Sequence, residues 1–196
     1  MAAVVPAVSL TAQQQEMADL IQREFLAAGF SAGVGIAAVV NAYAESRLNP
    51  LAASPPPEDS VGLFQLNAAG VGRGMTREER QDPLINIRKM ADYAKSERRF
   101  MGVASDPEAT LHDLTRAFTV YLERPANPEA KGEQRAALAA QMFPEAYQVS
   151  GSALARMGSG GYSSITVALA GSAAALLVLL AWRFRDDLRA ALTRTR

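Results

Sequence analysis

Three acidic residues carry the chemical interest of this chain. Glu45 closes the apolar run SAGVGIAAVVNAYAES, and Glu58 and Asp59 lie in the Pro-rich loop that follows it. A carboxylic acid that keeps its proton near neutral pH can donate it to a glycosidic oxygen, and the same group can afterwards act as a base. Glu45 sits at the C-terminal end of a helical run. The macrodipole there is negative and disfavours an ionised carboxylate by a few tenths to about 1 kcal/mol. Walls formed by Tyr43, Leu48 and Phe64 would add desolvation in the same direction. A second carboxylate decides the reaction type, because retaining glycosidases hold two carboxyl groups about 5 to 5.5 Å apart and inverting ones about 6.5 to 9.5 Å apart. Glu58 and Asp59 are the candidates if PPPEDS folds over the groove towards Glu45. If that loop is an exposed turn with two solvated acids, one acid must suffice, and the N-acetyl group of the substrate can serve as the internal nucleophile.

The elements that must place these groups are mostly helical. Thr11 with Gln14 forms a capping box ahead of the stripe Met17, Leu20, Ile21 and Phe25, and Gly29 supplies a stop. The second run carries Ile36, Val39, Val40 and Tyr43 up to Glu45, but its two glycines and its valines make it a weak helix that only burial can hold. Thr76-Arg77-Glu78-Glu79 is another capping box. Asp82-Pro83 and Asp106-Pro107 each read as an N-cap followed by proline at the first helical position. They are expected to open helices bearing Leu84, Ile87, Met90, Ala91 and Ala94, and then Leu111, Leu114, Phe118 and Tyr121. A last helix is expected over residues 132–143. Only the segment from Val61 to Leu66 is strand-like, so the fold class is mainly α, with a small β-hairpin.

The spacing of the short motifs adds a resemblance. Glu45-Ser46-x-x-Asn49-Pro50, a serine-containing loop, and then Ser60-x-Gly62-Leu63-Phe64-Gln65-Leu66-Asn67 resemble the lytic transglycosylase and lysozyme-like domains that cut peptidoglycan. AAGVGRGM (68–75), DPLINIR (82–88) and AFTVYLERP (117–125) are similar to muralytic domains carried in phage virions, so the likeness spans residues 15–125. It implies an α+β lysozyme-like fold acting on the MurNAc-GlcNAc bond, with Glu45 as the acid that later serves as base and Ser46 orienting it. By the same likeness Gly62, Phe64, Gln65 and Asn67 line the sugar groove, and Tyr121 and Glu123 close it from a later helix. Transglycosylases usually carry Ala-Tyr-Asn near that last position, whereas Ala117-Phe118-Thr119 stands here. In transglycosylases the sugar's 6-hydroxyl completes the reaction and leaves a 1,6-anhydro end; in lysozymes water does.

Composition limits the alternatives. The chain has 196 residues, with 20 basic and 20 acidic side chains, so no global basic field argues for nucleic acid. Cysteine is absent and His112 is the single histidine, which excludes thiolate chemistry and a multi-histidine metal site; no metal or cofactor is expected. Gly70 to Gly74 lacks the Gly-Lys-Ser/Thr of a phosphate loop, and His112, Lys95, Arg98 and Arg99 read as surface. No charge interrupts the chain between Arg156 and Arg183. Residues 162–183 are therefore expected to form a transmembrane helix, with Tyr162 and Trp182 at its two ends. Arg183, Arg185, Arg189, Arg194 and Arg196 place the tail, residues 184–196, on the cytoplasmic side. The expected organisation is a lysozyme-like domain (1–125), a helical and Gly/Ser-rich linker (126–161), the membrane helix and the tail. The N-terminus is a poor signal peptide, which suits a virion-associated protein. Such a protein would sit in the host envelope membrane with its N-terminal domain on the peptidoglycan side, acting in phage genome delivery. Expected partners are glycan strands, the membrane, other virion proteins, or a second copy through small residues such as Gly171 and Ala175. The alternatives are a structural ejection protein with an inactive, glycan-binding domain, and a host muralytic enzyme exported by its own membrane helix.

Overall fold

Thr11 opens the first helix reciprocally: its hydroxyl accepts from the Gln14 N–H, and the Gln14 side chain accepts from the Thr11 N–H. This helix, α1 (Ala12–Ala27), ends before Gly29, whose φ of +90° turns the chain. Ser31 then caps α2 (Ala32–Ser46), and every residue from Ala32 to Ala42 is buried. That enclosure answers the weak intrinsic propensity of a run rich in glycine and valine, since tertiary burial rather than propensity sustains such a helix. Arg47 ends α2 in the left-handed conformation at φ 56°, and Leu48 follows at φ 59°, which sends the chain out into the Pro-rich loop.

The computed structural model describes residues 8–148. The expected membrane helix at 162–183, the tail and residues 149–161 of the linker lie outside them. Among the described residues no helix is long and apolar enough to cross a membrane. The hairpin is smaller than its sequence suggests: β1 (Ser60–Val61) pairs antiparallel with β2 (Leu66–Asn67), with Ser60 opposite Asn67. After α3 (Arg77–Gln81), Asp82 caps α4 (Pro83–Ser96) with proline in its first turn, as expected. Then come α5 (Arg98–Ala104), α6 (Leu111–Ala117), a π-helical turn (Phe118–Glu123), α7 (Pro128–Met142) and α8 (Pro144–Tyr147).

Two boundaries differ from expectation. Asp106-Pro107 opens only a turn, in which the Asp106 carboxylate accepts from the Glu108 N–H at 2.9 Å. The helix starts later, at Thr110, where a capping box with Asp113 satisfies two backbone donors instead of one. The last long helix starts at Pro128 rather than Gly132, because a proline is pre-organised for the first helical position. Gly132 lies inside α7, where a Cβ would stand 3.0 Å from Cγ of Arg116 and crowd the α6 contact.

The core gathers around α2. Phe25, Phe64, Phe100 and Phe118 interlock with ring centroids 5.7 to 6.1 Å apart, and Phe30 joins at 5.5 Å from Phe25. This cluster fixes α1, the hairpin, α5 and the π turn to one another, so the ends of α2 and of the π turn meet on one side of the molecule.

Candidate active site

The last turn of α2 presents Glu45 with its side chain about a quarter exposed (25%) at the wall of a groove of about 940 Å³. Its carboxylate is met by a guanidinium that the motif reading did not include. Arg135 of α7, itself only 9% exposed, reaches Glu45 through Nη2 and Glu123 through Nη1. Nη1 also donates to Oδ1 of Asn41 at 2.9 Å. That asparagine is fully buried. Its Nδ2 donates to the Ala37 carbonyl at 2.8 Å, and its Oδ1 also accepts from the Thr119 hydroxyl at 2.7 Å. Three elements far apart in sequence are thereby fastened around Glu45 by charge-assisted bonds, the stronger class of hydrogen bond.

Glu123 ends the π turn, and its carboxylate is buried at 6% exposure. The wider turn also accounts for Tyr121. An extra residue in the turn carries position 121 off the inner face and seats Leu122 there instead, buried at 3%. Tyr121 packs against the core edge and is not among the residues lining the groove, contrary to expectation, whereas Glu123 is.

On the opposite wall the two acids of the Pro-rich loop part company. Glu58 lines the groove, and its Oε1 accepts from the Ser60 hydroxyl at 2.8 Å. Ser60 in turn accepts from Nδ2 of Asn67 at 3.2 Å. Asp59 faces away and is held by Arg80 at 2.7 Å and Arg77 at 3.2 Å. Arg80 is 3% exposed, and its Nη1 also donates to the carbonyls of Asp59 and Leu66 at 2.6 and 2.9 Å. Asp59 is thus an anchor of the loop rather than a groove residue.

Several residues assigned to the sugar are occupied by the chain itself. The Ser46 hydroxyl lies 2.9 Å from the carbonyls of Ala42 and of Leu63, and it makes no hydrogen bond to Glu45 among the described residues. It ties α2 to the hairpin. Gln65, at φ 45°, donates to the carbonyls of Ala52 and Gly62 and accepts from Ser54, so its amide clamps the loop while one edge lines the groove. Phe64 contributes an edge to the groove, but its ring belongs to the aromatic core. Gly62 serves packing: at φ +85°, a Cβ would fall 2.1 Å from the Arg80 carbonyl and 2.3 Å from Nδ2 of Asn86. Asn86, buried within the DPLINIR stretch, donates to that carbonyl at 2.6 Å and accepts from the Phe64 N–H at 3.1 Å.

The structure therefore gathers Glu45, Glu58, Phe64, Gln65, Asn67 and Glu123 in one groove and leaves Ser46, Asp59, Gly62 and Tyr121 behind its walls. Motif reading missed Arg135 and the α4 side of the groove, where Lys89, Asp92, Tyr93 and Ser96 stand. The four-residue polar stripe was visible in the sequence as a helical period; the arginine had no local signal. A family model for phage tail lysozymes matches residues 16–145, well over half of the chain. Neither the curated proteins nor the solved structures compared with the chain provide a match.

Proposed function

The chain belongs to the phage tail lysozyme family, and from that premise we propose that it cleaves the MurNAc-GlcNAc bond of peptidoglycan with Glu45 as general acid. The observation that carries this reading is the placement of Glu45, a groove-facing carboxyl on the last turn of a helix, where the negative end of the macrodipole disfavours the ionised form. Before proton transfer Arg135 remains paired with Glu123 and bonded to Asn41. As the proton leaves, the same guanidinium stabilises the charge that develops on Glu45, without reorganisation. Glu58, with Ser60 and Asn67 behind it, is the one loop acid able to act as a second carboxylate, because Asp59 is spent on Arg80. Where Glu58 takes no part, the substrate's own N-acetyl group supplies the nucleophile.

The test is mass spectrometry of the sugars released from purified peptidoglycan, with Glu45→Gln as control. Loss of a general acid lowers the rate by about 10²- to 10⁴-fold. Anhydro ends would assign transglycosylation, and reducing ends would assign water as acceptor; loss of those reducing ends in Glu58→Gln would then place Glu58 in the catalytic pair. Release that is equal with and without Glu45 would overturn the assignment.

A second reading has its own observation. A carboxylate tied to arginine accepts hydrogen bonds but does not donate them, which suits an inactive domain that binds glycan in a structural ejection protein. That reading predicts no release by either form and undiminished wall binding. We further infer that the domain extends through α7, since Arg135 belongs to the site and the family match runs to residue 145. The stretch 162–183, uncharged up to Arg183, is then a membrane anchor that holds a virion-associated domain against the wall during genome delivery. Purified particles should contain the protein; its confinement to infected-cell cytosol would exclude this role.

A further inference from the structure

Lys89, Asp92, Tyr93 and Ser96 fall at i, i+3, i+4 and i+7 along α4, so they share one face, and all four line the groove. The groove holds three cations, and two are engaged by the protein. Arg124 pairs with Glu97, donates to the Tyr121 carbonyl at 2.8 Å and lies 6.0 Å from the Tyr93 ring centroid. Arg73 donates to the Ala69 carbonyl at 3.0 Å. Lys89 differs. It is half-buried, and it meets no carboxylate at ion-pair distance among the described residues, Asp92 on the same face included. The groove acid Glu45 is taken by Arg135, as is Glu123. An ammonium that has lost part of its hydration and gained no counter-charge is an anion position waiting for a ligand. Beside it, Tyr93 offers an aromatic ledge with a polar rim, a surface suited to the apolar face of a sugar.

We propose that Lys89, with Tyr93 alongside, binds a carboxylate carried by the muramyl residue of the glycan, either its lactyl carboxyl or an acid of the stem peptide. The inference rests on peptidoglycan being the substrate and names the group by which this groove distinguishes muramyl sugars from neutral ones. Lys89 acts in binding and takes no part in bond breaking.

The experiment measures binding of the full chain, in the Glu45→Gln background, to three walls. These are intact peptidoglycan, peptidoglycan stripped of its peptides by amidase so that only lactyl carboxylates remain, and intact peptidoglycan whose carboxyls have been amidated. Lys89→Gln should weaken binding about ten-fold, the size of one charge-assisted contact, to whichever of the first two walls carries the recognised acid, and should leave binding to the amidated wall unchanged. Lys89→Arg, which keeps the charge, should retain most of the binding. A loss of equal size on all three walls, or on none, overturns the proposal. Catalysis is absent from this readout, so failure of Glu45 as an acid shows separately, as native protein that binds in this pattern and releases no sugar.

Discussion

Replacing Arg135 by methionine tests the electrostatic reading of the site most directly. The substitution keeps an apolar stem of similar reach and removes the guanidinium. Its three partners are not equally affected. Asn41 Oδ1 keeps its bond from Thr119, and Glu45, at 25% exposure, can turn to water. Glu123, at 6% exposure and with no other hydrogen-bond partner among the described residues, is left as a buried, uncompensated carboxylate. Removing one member of a buried pair costs about 3–5 kcal/mol, and nearly all of that should fall on Glu123. For a domain of this size each kcal/mol moves Tm by about 2–4 °C, so a fall of about 6–20 °C is expected. The stranded charge can itself be removed: Arg135→Met with Glu123→Leu should recover at least half of the loss, because apolar replacement of a buried ion pair is often close to neutral. Thermal and urea denaturation followed by circular dichroism reads both variants. A loss below about 1 kcal/mol in the single variant, or no recovery in the double, would refute the idea that this cluster is a buried electrostatic clamp.

Other perturbations separate packing from chemistry. Gly62→Ala places a methyl against the Arg80 carbonyl at a positive φ, so strain and overlap together should cost about 3 kcal/mol or more in urea unfolding, whatever the substrate. Asp59→Asn removes the charged partner of Arg80, which keeps its bonds to the Asp59 and Leu66 carbonyls, and should lower stability by about 1–2 kcal/mol. Glu58→Gln, by contrast, should leave the melt nearly unchanged and alter only cleavage. Burial pushes the Asp113 carboxyl up, but hydrogen bonds from the Thr110 hydroxyl and N–H, with His112 beside it, outweigh that and hold it below the ordinary aspartate value. A depressed acid stabilises the fold above its unfolded value of about 3.9, and the contribution fades as pH falls through the folded value. Asp113→Asn should therefore cost at most about 1 kcal/mol near neutrality, and the gap to the native chain should close in melts taken below about pH 4. A gap that persists undiminished at pH 2 would contradict this assignment.

The features legible in the sequence are local ones. The caps at Thr11, Thr76 and Asp82, the stop at Gly29 and the placing of Glu45 on the last turn of α2 each depend on residues within a few positions of one another. The main exception among the caps, Asp106-Pro107, failed because a better box began four residues later at Thr110. The motifs likewise marked the loop and hairpin that flank Glu45. They could not say which polar atoms would be spent on the chain itself: Gln65 and Ser46 have the chemistry to hold a sugar, yet they hold the hairpin. Tertiary structure alone decided the rest. Arg135 lies 90 positions from Glu45 along the chain, and the π turn that buries Glu123 leaves no mark in a helical stripe. The choice between Glu58 and Asp59 likewise rested on where Arg80 came to lie. Short-range hydrogen bonds are encoded next to the atoms they satisfy, whereas a buried charge finds its partner only when packing brings distant elements together.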